Sequence, residues 1–217
     1  MRVLTNRGML GTGICWMLTE SDGRNDGRFT DYLRNRLIWR GHDPDLYDAL
    51  VQSILVDRCR DVARANSSSI LNSMIFHSSQ ITDRLVERQQ YFLEAVEKFK
   101  GLYLIFFDPD NGIEVRSTPP GRNRSSKYVY WKELEEVFNA GHSLLVYQHF
   151  HHVNRTTFIE QRSKELSARL CAREIHAYRT KRVVFFLIPQ NQHRQYFRAR
   201  LSEVNVIWNA QIEGKIY

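Results

Sequence analysis

No run of about 18 consecutive apolar residues occurs anywhere in the chain, which excludes a membrane-spanning helix. Cysteine is scarce. Cys15, Cys59 and Cys171 lie far apart, their number is odd, and no CxxC or Cys/His pair has zinc-like spacing. A disulfide framework is thereby excluded, and buried thiols in a reducing, cytoplasmic setting are expected. The opening MRVLTNRGMLGTGICWMLTES has only a short apolar stretch, broken by glycines and without a small-residue cleavage site, so it reads as a first strand and not a signal peptide. Internal repeats and low-complexity blocks are absent. The GxG at Gly11 and Gly13 precedes the strand and opens no helix, so it is not a dinucleotide fingerprint.

What is present suits a single α/β domain spanning residues 1–217. Hydrophobic residues make up 42% of the 217, enough for a substantial core. The formal net charge of +7 favours polyanions and makes nucleic acid a candidate partner, although the basic residues are spread through the chain as in many soluble proteins. A first strand over 13–18 leads into a polar loop over 19–30. Helical patterns follow over 31–39 and 44–65, with Asp43 as N-cap before Pro44 at the first helical position. A strand over 73–77 precedes a helix over 82–100, whose apolar stripe is Leu85, Phe92, Val96 and Phe99. The run LYLIFF at 102–107 is apolar throughout, as a central parallel strand buried on both faces must be. A loop over 108–127, a helix over 131–140, the apolar strand SLLVYQ at 143–148 and a helix over 156–170 come next. Two strands, 174–178 and 183–188, are joined by a tight basic turn. A helix over 190–201 and a strand over 204–208 close the chain. This alternation predicts a doubly wound, mostly parallel Rossmann-like sheet with an antiparallel edge strand.

Ligands of open α/β sheets sit outside the carboxyl ends of the strands. That places three polar loops on one rim. The first is Asp108-Pro109-Asp110-Asn111-Gly112, where two carboxylates, with Glu114 nearby, could bind a divalent metal, accept protons or orient an amine. Turn chemistry accounts for Pro109, Asn111 and Gly112 but not for the gathering of acids at a strand end. The second is SDGRNDGR at 21–28, with Glu20 before it, where Asp22, Gly23, Asp26 and Gly27 could line a cofactor; a plain surface loop is the alternative. The third starts at Gln148 and His149, which face the rim, while His151 and His152 are expected to face solvent. Beside them the segment RSTPPGRNRSSK carries Arg116, Arg122, Arg124 and Lys127, able to grip phosphates or to be merely a solvated loop.

The pieces FFDPDNGIEV, SSKYVYW, GHSLLVYQHF and DGRFTDYL resemble an uncharacterised bacterial and phage family marked by a Phe-Asp-Pro-Asp-Asn-Gly motif, over residues 13–188. That family is in turn similar to the class I S-adenosylmethionine-dependent methyltransferases. The resemblance implies a methyltransferase-type sheet, S-adenosylmethionine bound over the loop after the first strand, and a target group near Asp108. In amino-methyltransferases the corresponding motif is Asp/Asn-Pro-Pro-aromatic. Here Asp108 and Pro109 match, Asp110 replaces the second proline and Asn111 the aromatic. The glycine-rich donor loop is echoed only by Glu20-Ser21-Asp22-Gly23. The family also has a helix ahead of the first strand, and its absence here leads us to expect a shortened start. Two other readings stay open on the residues: a nuclease with magnesium on Asp108, Asp110 and Glu114 and with Lys127 at the phosphate, and a non-catalytic binding protein on the same fold.

Overall fold

The computed structural model describes residues 1–20, 30–59, 61, 64, 66, 70, 71, 73–150 and 153–217. The chain divides into two compact units, Met1–Thr19 with Met74–Tyr217, and Glu20–Ser73. Among the described residues no helix is long and apolar enough to cross a membrane.

The larger unit is built on a seven-stranded sheet. Its strands are β1 (Thr12–Cys15), β2 (Met74–His77), β3 (Leu104–Phe107), β6 (Ser143–His149), β7 (His176–Arg179), β8 (Val183–Ile188) and β9 (Glu213–Ile216), in the order β2-β1-β3-β6-β8-β7-β9. β2, β1, β3 and β6 pair in parallel, and β8, β7 and β9 complete the sheet antiparallel. The expected hairpin of 174–178 and 183–188 is therefore present, but it lies inside the sheet and β9 forms the edge. A two-stranded ribbon, β4 (Gly112–Ile113) with β5 (Tyr128–Val129), sits within the long loop after β3.

The continuous apolar run of β3 is buried on both faces, as its sequence requires: Leu104, Ile105 and Phe107 have at most 1% of their surface exposed. On one face the main core joins Cys15, Ile105, Phe107, Leu144, Val146 and Phe186 to helices α3 (Leu85–Lys98), α4 (Trp131–Asn139) and α5 (Arg155–Leu170). Helix α6 (Arg194–Ile207) lies against the other face, where the Ser143 hydroxyl bonds His193 Nδ1 at 2.9 Å and Asn205 brackets Gly214. The expected strand over 204–208 is thus helical through Ile207. Phe197, Leu201 and Val204 form a buried stripe at helical spacing, and that packing outweighs the β preference of the valines and isoleucine.

Gly13 lets the sheet and α3 close together. A Cβ there would stand 2.5 Å from the Phe99 ring, which is itself fully buried. Gly13→Ala is expected to destabilise the chain by about 1–3 kcal/mol through overpacking, read as a lower urea midpoint at unchanged slope.

The smaller unit holds a 3-10 turn (Asp31–Arg34), α1 (Arg36–Trp39) and α2 (Pro44–Val51), which runs on as a π-helical turn (Gln52–Val56). The helical pattern over 44–65 is α-helical over Pro44–Val51 and breaks after Val56, while Arg60, Val62, Ala63 and Ala65 lie outside the described residues. Asp43 caps α2 by accepting from Leu46 N at 3.2 Å, with Pro44 following. Tyr47 donates to Leu33 O at 2.6 Å, and Arg40 holds Asp48 with two bonds of 2.8 Å.

Candidate functional site

β1 lies between β2 and β3. The chain leaves β1 for a neighbour on one side, returns to β3 on the other, and goes on from β3 to β6. The connections after β1 and β3 therefore diverge, which makes the carboxyl ends of these two strands the switch point outside which open α/β sheets bind ligands. Trp16, Met17, Leu18 and Thr19 follow β1, and Asp108, Pro109 and Asp110 follow β3. The two segments are tied together: Asp108 N donates to Cys15 O at 3.1 Å, and the Thr19 hydroxyl to Asp110 Oδ2 at 3.0 Å.

The two carboxylates differ in environment. Asp110 is exposed and pairs with Lys127 Nζ at 3.3 Å. Asp108 is half-buried, and no described residue hydrogen-bonds to its carboxylate. Burial, with the charge of Asp110 adding to it, pushes its carboxyl up to about 7. Tyr147 on β6 shares this space. Burial first, then the carboxylates of Asp108 and Asp110, push its phenol up to about 12. Tyr147 is a site residue that inspection of the sequence passes over. A signal for it exists nonetheless, because alternation along SLLVYQ puts Tyr147 on the face opposite Gln148.

Gln148 turns inward and shapes the loop. It is 1% exposed, accepts from Ile113 N at 3.0 Å, and donates to Asn111 O at 3.1 Å and His149 O at 2.9 Å. Gly112 makes room for it at φ 119°, since a Cβ there would meet the Gln148 amide at 2.5 Å. Asn111 is fixed through its backbone, donating to Lys127 O at 2.9 Å and accepting from His149 N at 3.2 Å, while the His149 residue itself is exposed. Glu114 accepts from Trp131 N at 2.8 Å at the start of α4. Among the described residues no three His, Cys, Asp or Glu side chains converge to hold a metal ion.

The basic loop is anchored from below. Asp83 accepts from Ser126 N at 2.7 Å, Arg124 N at 2.8 Å and Ser125 Oγ at 3.2 Å. Burial pushes the Asp83 carboxyl up, but these bonds outweigh it and hold the group below its ordinary value. Arg88, 3% exposed, forks onto Glu133 at 2.6 and 2.8 Å and donates to Ser125 O and Tyr128 O. Its guanidinium also lies 4.6 Å from the centre of the Tyr130 ring. On this base Arg116, Arg122 and Arg124 stand exposed, with no ion pair among the described residues. Trp131 packs inward beneath Arg162 and Arg169, so it is not available to a ligand.

The structure therefore brings together Asp108, Pro109, Asp110, Asn111 and Lys127, with Gln148 beneath them. Glu20 is exposed and belongs to the smaller unit. Asp22, Gly23, Asp26 and Gly27, like His151 and His152, lie outside the described residues. Comparison with family models, with curated proteins and with solved structures finds nothing that matches this chain.

Proposed function

We propose that this chain is an S-adenosylmethionine-dependent methyltransferase-like protein, with the methyl donor outside β1 and β3 and the acceptor at Asp108. The observation that carries the reading is the Asp108 carboxyl, shifted up by burial and without a hydrogen-bond partner among the described residues, at the end of a central strand. Structural carboxylates in this chain are satisfied, as Asp83, Glu114 and Glu133 show. Asp108, half-buried at the switch point of the sheet and bonded to no described residue, is open to a ligand. The parallel half of the sheet, with its crossover from β2 past β1 to β3, and the Asp108-Pro109 pair support the same reading.

The bound donor would supply an electrophilic methyl group. The chain's own part is to hold the acceptor in line and to exclude water, so few reacting side chains are required. Asp108 is placed to accept a hydrogen bond from an acceptor amine. Asp110, neutralised by Lys127 and tied to Thr19, keeps the two loops at fixed separation. Arg116, Arg122 and Arg124, carried on an anchored loop, suit the phosphates of a nucleic acid.

Calorimetric titration with S-adenosylmethionine tests the proposal. Saturable one-to-one binding is expected, weakened about tenfold or more by Asp108→Ala. A magnesium isotherm abolished by Asp110→Ala, with no response to the methyl donor, would replace this reading with a metal-dependent one.

A further inference from the structure

Five aromatic rings form a continuous chain of contacts across β2, β1, β3, β6 and β8, on the face that Asp108 shares by register. Phe76 stacks on Trp16 with ring centres 6.2 Å apart, and Trp16 meets Phe106 edge-on at 6.4 Å. Phe106 lies 6.2 Å from Phe185, which meets Tyr147 edge-on at 5.6 Å. Register explains the arrangement. Cys15 and Val146 both pair with Phe107, so Trp16 and Tyr147 take the positions on either side of Asp108, one residue further along. Phe106 precedes Asp108 by two residues and shares its face, while Tyr147 pairs with Phe185. This is the face opposite the main core. Trp16, Phe76, Tyr147 and Phe185 are only half-buried there, unlike Phe107 and Phe186, which are closed into the core.

We infer that Asp108 and the rings on its face form a seat for an organic cation, an ammonium or sulfonium centre carrying alkyl groups. An aromatic ring is electron-rich over its face, and these side chains carry few atoms able to ligate a metal, so they suit a diffuse cation better than a metal ion. The carboxylate supplies the opposite charge in a place where water does not fully solvate it. An alkylated onium group is weakly hydrated and loses little on leaving water. A neutral apolar guest would leave Asp108 uncompensated. The lysine of this rim, Lys127, is directed to Asp110. For its place in a reaction the inference rests on the methyl-transfer reading, since the cation would be either the sulfonium of the methyl donor or an ammonium of the acceptor. For its geometry it stands on the register and the rings alone.

The test uses the full chain, with choline and its uncharged isostere 3,3-dimethylbutan-1-ol as probes, followed by calorimetry and by tryptophan fluorescence. Choline is expected to bind saturably and at least about tenfold more tightly than the isostere. Asp108→Asn should weaken choline about tenfold or more. Tyr147→Leu should weaken it about fivefold, and Tyr147→Phe, which keeps the ring face, should restore binding. Equal affinity for the two probes, or choline binding indifferent to both Asp108→Asn and Tyr147→Leu, overturns the inference. Displacement of choline by S-adenosylmethionine assigns the seat to the donor's sulfonium, and simultaneous binding assigns it to an acceptor's ammonium. Choline binding without any binding of S-adenosylmethionine leaves the seat standing and removes the methyl-transfer reading. The reverse result removes the seat and leaves that reading in place.

Discussion

At pH 8 the Asp108→Asn variant is expected to unfold at a higher temperature than the parent chain, and at pH 4 at about the same temperature. The Asp108 carboxyl sits at about 7 in the folded chain against an ordinary value of 3.8. Between those values the folded state holds a proton that the unfolded state has lost. Stability therefore falls as pH rises from about 4 to about 7, and the full penalty remains above that. A shift of this size corresponds to at most about 4 kcal/mol, and to about 2 kcal/mol once the residual solvent contact of Asp108 is allowed for. The neutral amide of the variant would carry no such penalty, so the difference between variant and parent should grow through this window and then level off. Burial sets the midpoint first, and the charge of Asp110, which pairs with Lys127, raises it further. A residue whose replacement stabilises the fold while abolishing ligand binding is a residue retained for function.

The largest loss is expected from Arg88→Met. Arg88 and Glu133 are nearly inaccessible partners at 2.6 Å, and removing the guanidinium strands a buried carboxylate. Burial already pushes the Glu133 carboxyl up against the pull of Arg88, so without Arg88 nothing of that strength opposes it. The single change should cost about 3–5 kcal/mol in urea denaturation. Adding Glu133→Gln should recover a large part, because Gln can still accept from Tyr130 N, as Glu133 does at 2.8 Å. The same variant loses the bonds from Arg88 to Ser125 O and Tyr128 O, so limited proteolysis should become faster within residues 116–127. That effect links the buried pair to the loop offered to phosphates. Unchanged cleavage together with lowered stability would show that Asp83 alone holds the loop.

The central strand and its acidic tip are legible in the sequence because LYLIFF is apolar at every position, and only a strand covered on both faces satisfies such a run. Asp108 and Pro109 follow directly from that placement. The aromatic seat is not legible. Its members come from five strands or their ends, at 16, 76, 106, 147 and 185, and each taken alone is an ordinary core aromatic. Only the register of β1, β3 and β6 brings them onto the face of one carboxylate. The sequence puts Gln148 on the rim with His149, but residues adjacent on a strand face opposite ways, and its amide turns inward to bracket Gly112. The basic loop reads as solvated because its anchor, Asp83, is some forty residues away in the chain. The closing segment misleads for another reason. Val204 and Ile207 favour strands locally, and the stripe completed by Phe197 and Leu201 holds them in a helix. The acidic, glycine-rich loop at 21–28 lies outside the described residues, so its reading as a donor loop keeps only the warrant of its composition.

The donor site, the acceptor site and the cation seat all depend on Asp108 being a partly desolvated carboxyl with no partner among the described residues. The most direct measurement is a carbon-13 NMR titration of the Asp108 side-chain carboxyl in the full chain, assigned by its loss in Asp108→Asn. A midpoint near 7 that falls when choline is bound is the predicted result. A midpoint near the ordinary 3.8, unmoved by any cationic probe, would contradict the account.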